Sequence, residues 1–238
     1  MNGTASCATL SAGRHCRGCG VKIFAGTGRA SLIVIAATAV LMLGACSTPS
    51  SAVAPETTPL SCAANARWAV GDSLGDEMVI GIPGWPDSGT QKGTWTNYSV
   101  PGADATELSS WALGQISRCD NKPSLVVLEA GINDLAFGGL SVAQLEAAIT
   151  HFVNTAGVPI HVVATTPMAS GSPHANIEPL REQYNAWLNA TYPGIAIDCN
   201  STLAGQDGWL RPDYSVDTFV HLTPTGEVAF ANCIGAGL

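Results

Sequence analysis

From Arg67 onward, short apolar runs alternate with segments of helical period, and no other feature of the chain constrains its fold as tightly. Strands are expected at 67–71 (RWAVG), 95–100 (WTNYSV), 124–130 (SLVVLEA), 159–165 (PIHVVAT) and 194–198 (GIAID), each running into a loop with glycine or polar residues. Helices are expected over about 74–81, 104–117, 141–156, 176–191 and 224–235. Ser141 with Gln144 forms a capping-box pattern, and Pro224 behind Thr223 fits a first-turn proline after a capping threonine. This alternation predicts an α/β domain with a parallel sheet covered on both faces. In such folds ligands bind at the carboxyl ends of the strands. With 46% hydrophobic and 12% charged residues, the chain has enough apolar surface for a real core.

The first part of the chain has a different character. Residues 1–45 carry Arg14, Arg17, Lys22 and Arg29 and no acid, and they read as a signal peptide. The run "SLIVIAATAVLMLGAC" is short for a bilayer span and ends in Leu43-Gly44-Ala45-Cys46. That ending resembles the lipobox of bacterial lipoproteins, in which the cysteine takes a diacylglycerol. An acylated Cys46 would hold the protein at the outer face of the cell membrane through a lipid anchor, whereas a simple signal peptide or an uncleaved anchor would place it differently. Residues 46–61, rich in Ser, Thr, Pro and Ala, read as a flexible tether, leaving 62–238 as the folded domain. The arm ahead of the apolar run is long, so translation starting near Val21 is a further expectation; a Val21 start that yields no membrane-bound product rejects it.

Removing residues 1–45 takes four of the ten basic residues and none of the eighteen acids, so the remainder has a formal charge of −12. Nucleic acid is a poor partner for such a surface. Cys16 and Cys19 in "HCRGC" lie upstream of the cleavage point with no second ligand pair, so no metal site and no cofactor is expected. Cys62, Cys119, Cys199 and Cys233 remain in the exported domain, an even number that predicts two disulfides. Cys62 and Cys119 precede apolar strands by similar distances, which favours the pairs Cys62–Cys119 and Cys199–Cys233.

The loops at the expected strand ends hold Gly71-Asp72-Ser73-Leu74, Pro101-Gly102-Ala103 and Gly131-Ile132-Asn133-Asp134, and the loop before the last helix holds "VDTFVHLTPTG" with His221. A serine, a glycine, an asparagine and a histidine would therefore meet at one sheet edge. In that order these blocks resemble the SGNH (GDSL) hydrolase family over roughly residues 65–238. The resemblance implies a flavodoxin-like, three-layer α/β/α sandwich with five strands. It also implies that Ser73 is the nucleophile, Gly102 and Asn133 are oxyanion donors, and His221 is the general base.

The residues have a physical account of their own. A serine hydroxyl needs a base to take its proton, and N–H groups at the start of a helix after Ser73 would favour negative charge there. The Ser73 N–H, the unobstructed Gly102 N–H and the Asn133 amide would together surround an oxyanion. Singly, each also has a plain reading: Ser73 a helix cap, Gly102 a turn glycine, "GIND" an Asx turn, and Asp72 an orienter of its loop. Among five histidines, His15 lies in the leader, His151 in a helix and His161 in a strand, which leaves His174 as the rival to His221. His221 sits ahead of the last helix with an acid nearby. In the family that acid lies three residues before the histidine; here that place is Thr218, and Asp217 is four before. A kinked loop would bring Asp217 to the ring; otherwise a backbone carbonyl would orient it, and Asp217→Asn is expected to lose far less activity than Ser73→Ala or His221→Ala.

These residues predict a serine esterase acting on small acyl esters of a glycan, lipid or small molecule at the cell envelope. An O-acyltransferase using the same site, and an inactive envelope lipoprotein that binds glycan or lipid, are the alternatives. Trp85, Trp95 and Trp209 read as core anchors or as rings that stack on substrate.

Overall fold

A computed structural model describes residues 63–76 and 81–238. Five strands form one parallel sheet: β1 (Arg67–Gly71), β2 (Thr96–Asn97), β3 (Leu125–Glu129), β4 (Ile160–Val163) and β5 (Ala196–Ile197), in the order β2-β1-β3-β4-β5. That is the flavodoxin-like order, whose switch point lies between β1 and β3. The helices are α1 (Ala105–Arg118), α2 (Ile132–Ala136), α3 (Val142–Thr155), α4 (Glu178–Thr191), α5 (Asn200–Leu203) and α6 (Pro224–Gly237).

Strand side chains alternate between two cores, as the period of a pleated strand requires. Trp68, Val70, Val126, Leu128 and Val162 pack with Leu108 and Ala112 of α1, Ile149 and Phe152 of α3, and Tyr184 and Leu188 of α4. On the opposite face Ala69, Val127, Val163 and Ile197 pack with Leu203 of α5 and Phe230, Ala231 and Ile234 of α6. The sheet is thus a middle layer between two helical layers. Because both faces are buried, its strands read as nearly continuous apolar runs.

Helix ends follow the local chemistry. At α3 the Ser141 Oγ accepts from the Gln144 N–H while the Ser141 N–H donates to Gln144 Oε1 at 3.0 Å, a complete capping box. At α6 Thr223 Oγ1 accepts from the Gly226 N–H at 3.2 Å, with Pro224 in the first turn.

Three expectations need correction. The second strand is two residues long rather than six, although its line continues through Tyr98 N–H to the Ala69 carbonyl at 2.7 Å and Val100 N–H to Gly71 at 2.8 Å. Residues 74–76, the start of the helix expected over about 74–81, form a turn, and Gly81 is a turn residue too; 77–80 lie outside the described residues. The reason is Asp72, whose carboxylate accepts the Leu74 N–H at 3.1 Å and offers the backbone an Asx turn in place of a helix. Finally, "GIND" is not a loop: three of its residues belong to α2. The Cys46 and Cys62 expectations also fall outside the described residues. Cys199 and Cys233 form a disulfide linking the start of α5 to α6, and Cys119 is disulfide-bonded as well.

Candidate active site

The turn after β1 depends on two glycines. A Cβ on Gly75 would lie 2.0 Å from Ser99 Oγ, and one on Gly84 would lie 2.4 Å from the Gly75 backbone, so only bare backbone fits where these segments cross. Leu74 O accepts from Trp85 N–H at 3.1 Å, which fixes the turn from its far side. Ser73 is thereby held at the carboxyl end of β1, next to the switch point.

Two neighbouring loops are sewn to this turn. In the first, Ala103 N–H donates to Val100 O at 3.1 Å across Pro101 and Gly102, and Gly102 has φ +77°. This is the pattern of a type II turn, which requires positive φ at its third residue. The Gly102 N–H has no hydrogen-bond partner among the described residues. In the second, after β3, Asn133 Nδ2 donates to Asp72 Oδ2 at 3.2 Å and to Ala103 O at 3.1 Å. Asp134 beside it accepts from Ala105 N–H at 2.6 Å and from Thr106 N–H at 3.3 Å. It therefore caps α1 from 29 residues downstream, where Asp104, the helix's own N-cap residue, makes no side-chain cap. All three loops become one rigid rim.

The fourth loop brings the imidazole. Asp217 Oδ1 accepts from Phe219 N–H at 2.7 Å, and the Asp217 carbonyl accepts from Ser215 Oγ at 2.6 Å. These bonds kink residues 215–219 so that Asp217 Oδ2 meets His221 Nδ1 despite the four-residue spacing. On the other side of the ring, His221 Nε2 lies 2.9 Å from Ser73 Oγ. The network assigns the proton to Nδ1, donated to the carboxylate, and leaves Nε2 to accept from the serine hydroxyl. The sequence-predicted Ser73, His221 and Asp217 are thus a continuous hydrogen-bonded chain. Ser73 is 7% exposed, whereas the Asp217 side chain is 37% exposed.

Beneath the serine turn lies a group of buried acids. Burial pushes Asp72 up to about 7, against the pull of the Leu74 N–H, with further upward pressure from Asp134. Burial, then the charges of Asp72 and Glu227, hold Glu129 well above the ordinary carboxyl range, and burial does the same to Glu227. One oxygen each of Glu129 and Glu227 has no hydrogen-bond partner. Asp134 is pushed up to about 6, again chiefly by burial. A buried carboxyl with no cation nearby keeps its proton longer because desolvation penalises the charged form.

The other residues singled out in the sequence fall elsewhere. His151 caps nothing at the site and touches Thr155, and His161 Nδ1 faces the Ile195 carbonyl from β4. His174 reaches the rim but stacks among rings: its centroid is 4.7 Å from Phe137 and 5.2 Å from Phe219. Trp85 is fully buried against Trp95, and Trp209 packs at the edge of the core. Sequence reasoning missed the capping role of Asp134 and the rings of Phe137 and Phe219. No local pattern announces a helix cap supplied from another loop.

This arrangement coincides with what comparison finds. The GDSL-like Lipase/Acylhydrolase family model matches residues 69–229. The chain belongs to that family. As a GDSL acylhydrolase it is a hydrolase that acts on ester bonds. Among solved structures, a GDSL-like lipase from Bacteroides thetaiotaomicron is 16% identical, with a TM-score of 0.58, covering 72% of this chain and 86% of its own. A member of the lipolytic protein G-D-S-L family from Veillonella parvula is 17% identical with a TM-score of 0.56, covering 72% and 96%. A carbohydrate esterase family 3 protein from Talaromyces cellulolyticus is 16% identical with a TM-score of 0.51, covering 72% and 95%. At these identities the likeness is one of fold. No curated protein matches the chain.

Proposed function

We propose that this GDSL hydrolase is a serine esterase that cleaves small acyl esters through an acyl-enzyme on Ser73, acting at the outer face of the cell membrane as a lipoprotein anchored by Cys46. The observation that carries the chemistry is the 2.9 Å approach of His221 Nε2 to Ser73 Oγ, with Asp217 on the opposite ring nitrogen.

In this reading His221 takes the hydroxyl proton as Ser73 Oγ bonds to the ester carbonyl carbon, and Asp217 steadies the resulting imidazolium. The carbonyl oxygen becomes an oxyanion facing the N–H groups of Gly102 and Ser73 and the Asn133 amide. Asn133 gives up one of its resting bonds for this, a trade that favours the charged acceptor. When the carbon–oxygen bond to the alcohol breaks, the imidazolium returns its proton to the leaving oxygen. Water then repeats the sequence: His221 removes its proton, hydroxide adds to the acyl carbon, and the acid leaves as Ser73 recovers its hydrogen.

The test is labelling by a fluorophosphonate probe together with turnover of p-nitrophenyl acetate and butyrate. Wild type labels and turns over both, and Ser73→Ala does neither. A wild type that behaves like the variant defeats the proposal. Radiolabelled lipid incorporated into wild type and not into Cys46→Ala tests the anchor separately.

A further inference from the structure

Three rings from three different loops meet beside the candidate site: Phe137 at the end of α2, His174 after β4, and Phe219 two residues before the proposed base. Phe137 and Phe219 are 5.5 Å apart between centroids, and His174 closes the triangle with edge-on contacts to both. The triangle continues into the site, because Phe219 lies 6.2 Å from the His221 ring. On its other flank Phe137 N–H donates to the Asn133 carbonyl at 2.8 Å. The wall therefore begins beside the imidazole and runs outward through Phe219 to His174 and Phe137.

Phe137 is 60% exposed, the most exposed of the large hydrophobic side chains described. An aromatic side chain left in water costs folding energy that burial would recover. Edge-to-face packing accounts for its orientation and leaves most of its surface open beside the site.

Resting on the acyl-enzyme reading, we propose that Phe137, His174 and Phe219 form the subsite for the alcohol half of the ester, and that this alcohol is ring-shaped, meeting the wall through a C–H or π face. The side of the reacting carbon follows from proton transfer. The base returns its proton to the leaving oxygen, so the alcohol must sit beside the imidazole, and Phe219 is the ring that adjoins it. Next to the same loop, a cleft of about 410 Å³ is lined by Ser170, Ser215, Asp217 and Thr218 among apolar neighbours. The Ser170 and Thr218 hydroxyls there suit the hydroxyls of a saccharide, whose C–H face would rest on the rings.

Four esters separate the possibilities: ethyl acetate, with no ring; benzyl acetate and methyl 6-O-acetyl-glucopyranoside, with a ring in the alcohol; and ethyl phenylacetate, with a ring in the acyl group. Phe137→Ala removes an exposed side chain and leaves no core cavity. In this variant kcat/KM for the glucoside or the benzyl ester, taken relative to ethyl acetate, falls roughly five- to tenfold, mainly through KM. The ratio for ethyl phenylacetate stays at its wild-type value. A fall for the glucoside identifies a saccharide, and a fall for the benzyl ester alone identifies an aryl alcohol. No fall for either, or a fall for ethyl phenylacetate instead, overturns the assignment while leaving the esterase reading intact. A wild type that turns over none of the four faster than Ser73→Ala overturns both.

Discussion

Asp217 stands four residues before His221 and nevertheless touches its Nδ1, because the Asp217 carboxylate also holds the Phe219 N–H and so folds the intervening chain back on itself. One oxygen builds the kink and the other uses it. The carboxylate is 37% exposed, so water screens its charge and shares its work. Ser73→Ala and His221→Ala are each expected to lower kcat/KM by on the order of 10⁴-fold or more, and Asp217→Asn by a distinctly smaller factor, as removal of a triad acid costs less than removal of the nucleophile or base. Steady-state turnover of p-nitrophenyl acetate by the three variants measures this; equal losses would show that Asp217 acts as a full partner of the pair.

Asn133→Ala removes an oxyanion donor and, in the resting protein, the donor to Asp72 Oδ2 and to the Ala103 carbonyl. The expected result is a fall in kcat of about 10²–10³ with little change in KM, together with a lower Tm. A Tm loss with unchanged kcat would assign this side chain to scaffolding alone.

Asp134 links α2 to the first turn of α1 through two backbone N–H groups. Asp134→Ala leaves those groups buried and unanswered, and is expected to cost about 1–3 kcal/mol. Urea unfolding checks it. A loss within about 0.5 kcal/mol, the usual range of surface changes, would mean that water replaces the cap freely.

Glu129 gives stability a pH dependence of defined sign. Its carboxyl is held well above the ordinary range by burial, so the folded protein keeps a proton that the unfolded chain has released. Its favourable contribution is full below the ordinary glutamate range and is lost as pH rises through the raised value. Glu129→Gln is neutral throughout. The variant is therefore expected to gain stability relative to wild type between pH 5 and pH 8, as followed by Tm. Parallel curves would indicate that Glu129 is ionised in the fold or paired by an internal group.

Much of the architecture was legible in the sequence because it rests on short-range signals. Runs such as LVVLE of β3 are long enough and apolar enough to be buried on both faces, and Ser141 and Thr223 announce their helices by local capping chemistry. The order of the four loop blocks likewise follows from strand–helix alternation. What escaped depends on tertiary partners. The Asp72 carboxylate converts the expected helix start into a turn, Asp134 caps a helix to which it does not belong, and Phe137 faces outward from a helix too short to show periodicity. The one unusual spacing, Asp217 to His221, resolves through a hydrogen bond to Phe219 that has no signature in the residue types.

The buried acids beneath the serine turn also bear on what the molecule presents to its surroundings. Asp72, Glu129 and Glu227 count as three negative charges in any tally of residues, yet each has its titration displaced upward by the interior. Near neutrality the folded domain therefore migrates in an electric field as a less anionic particle than its formula, and the missing charge reappears when the chain unfolds. The acidity written in its letters belongs in part to the denatured state.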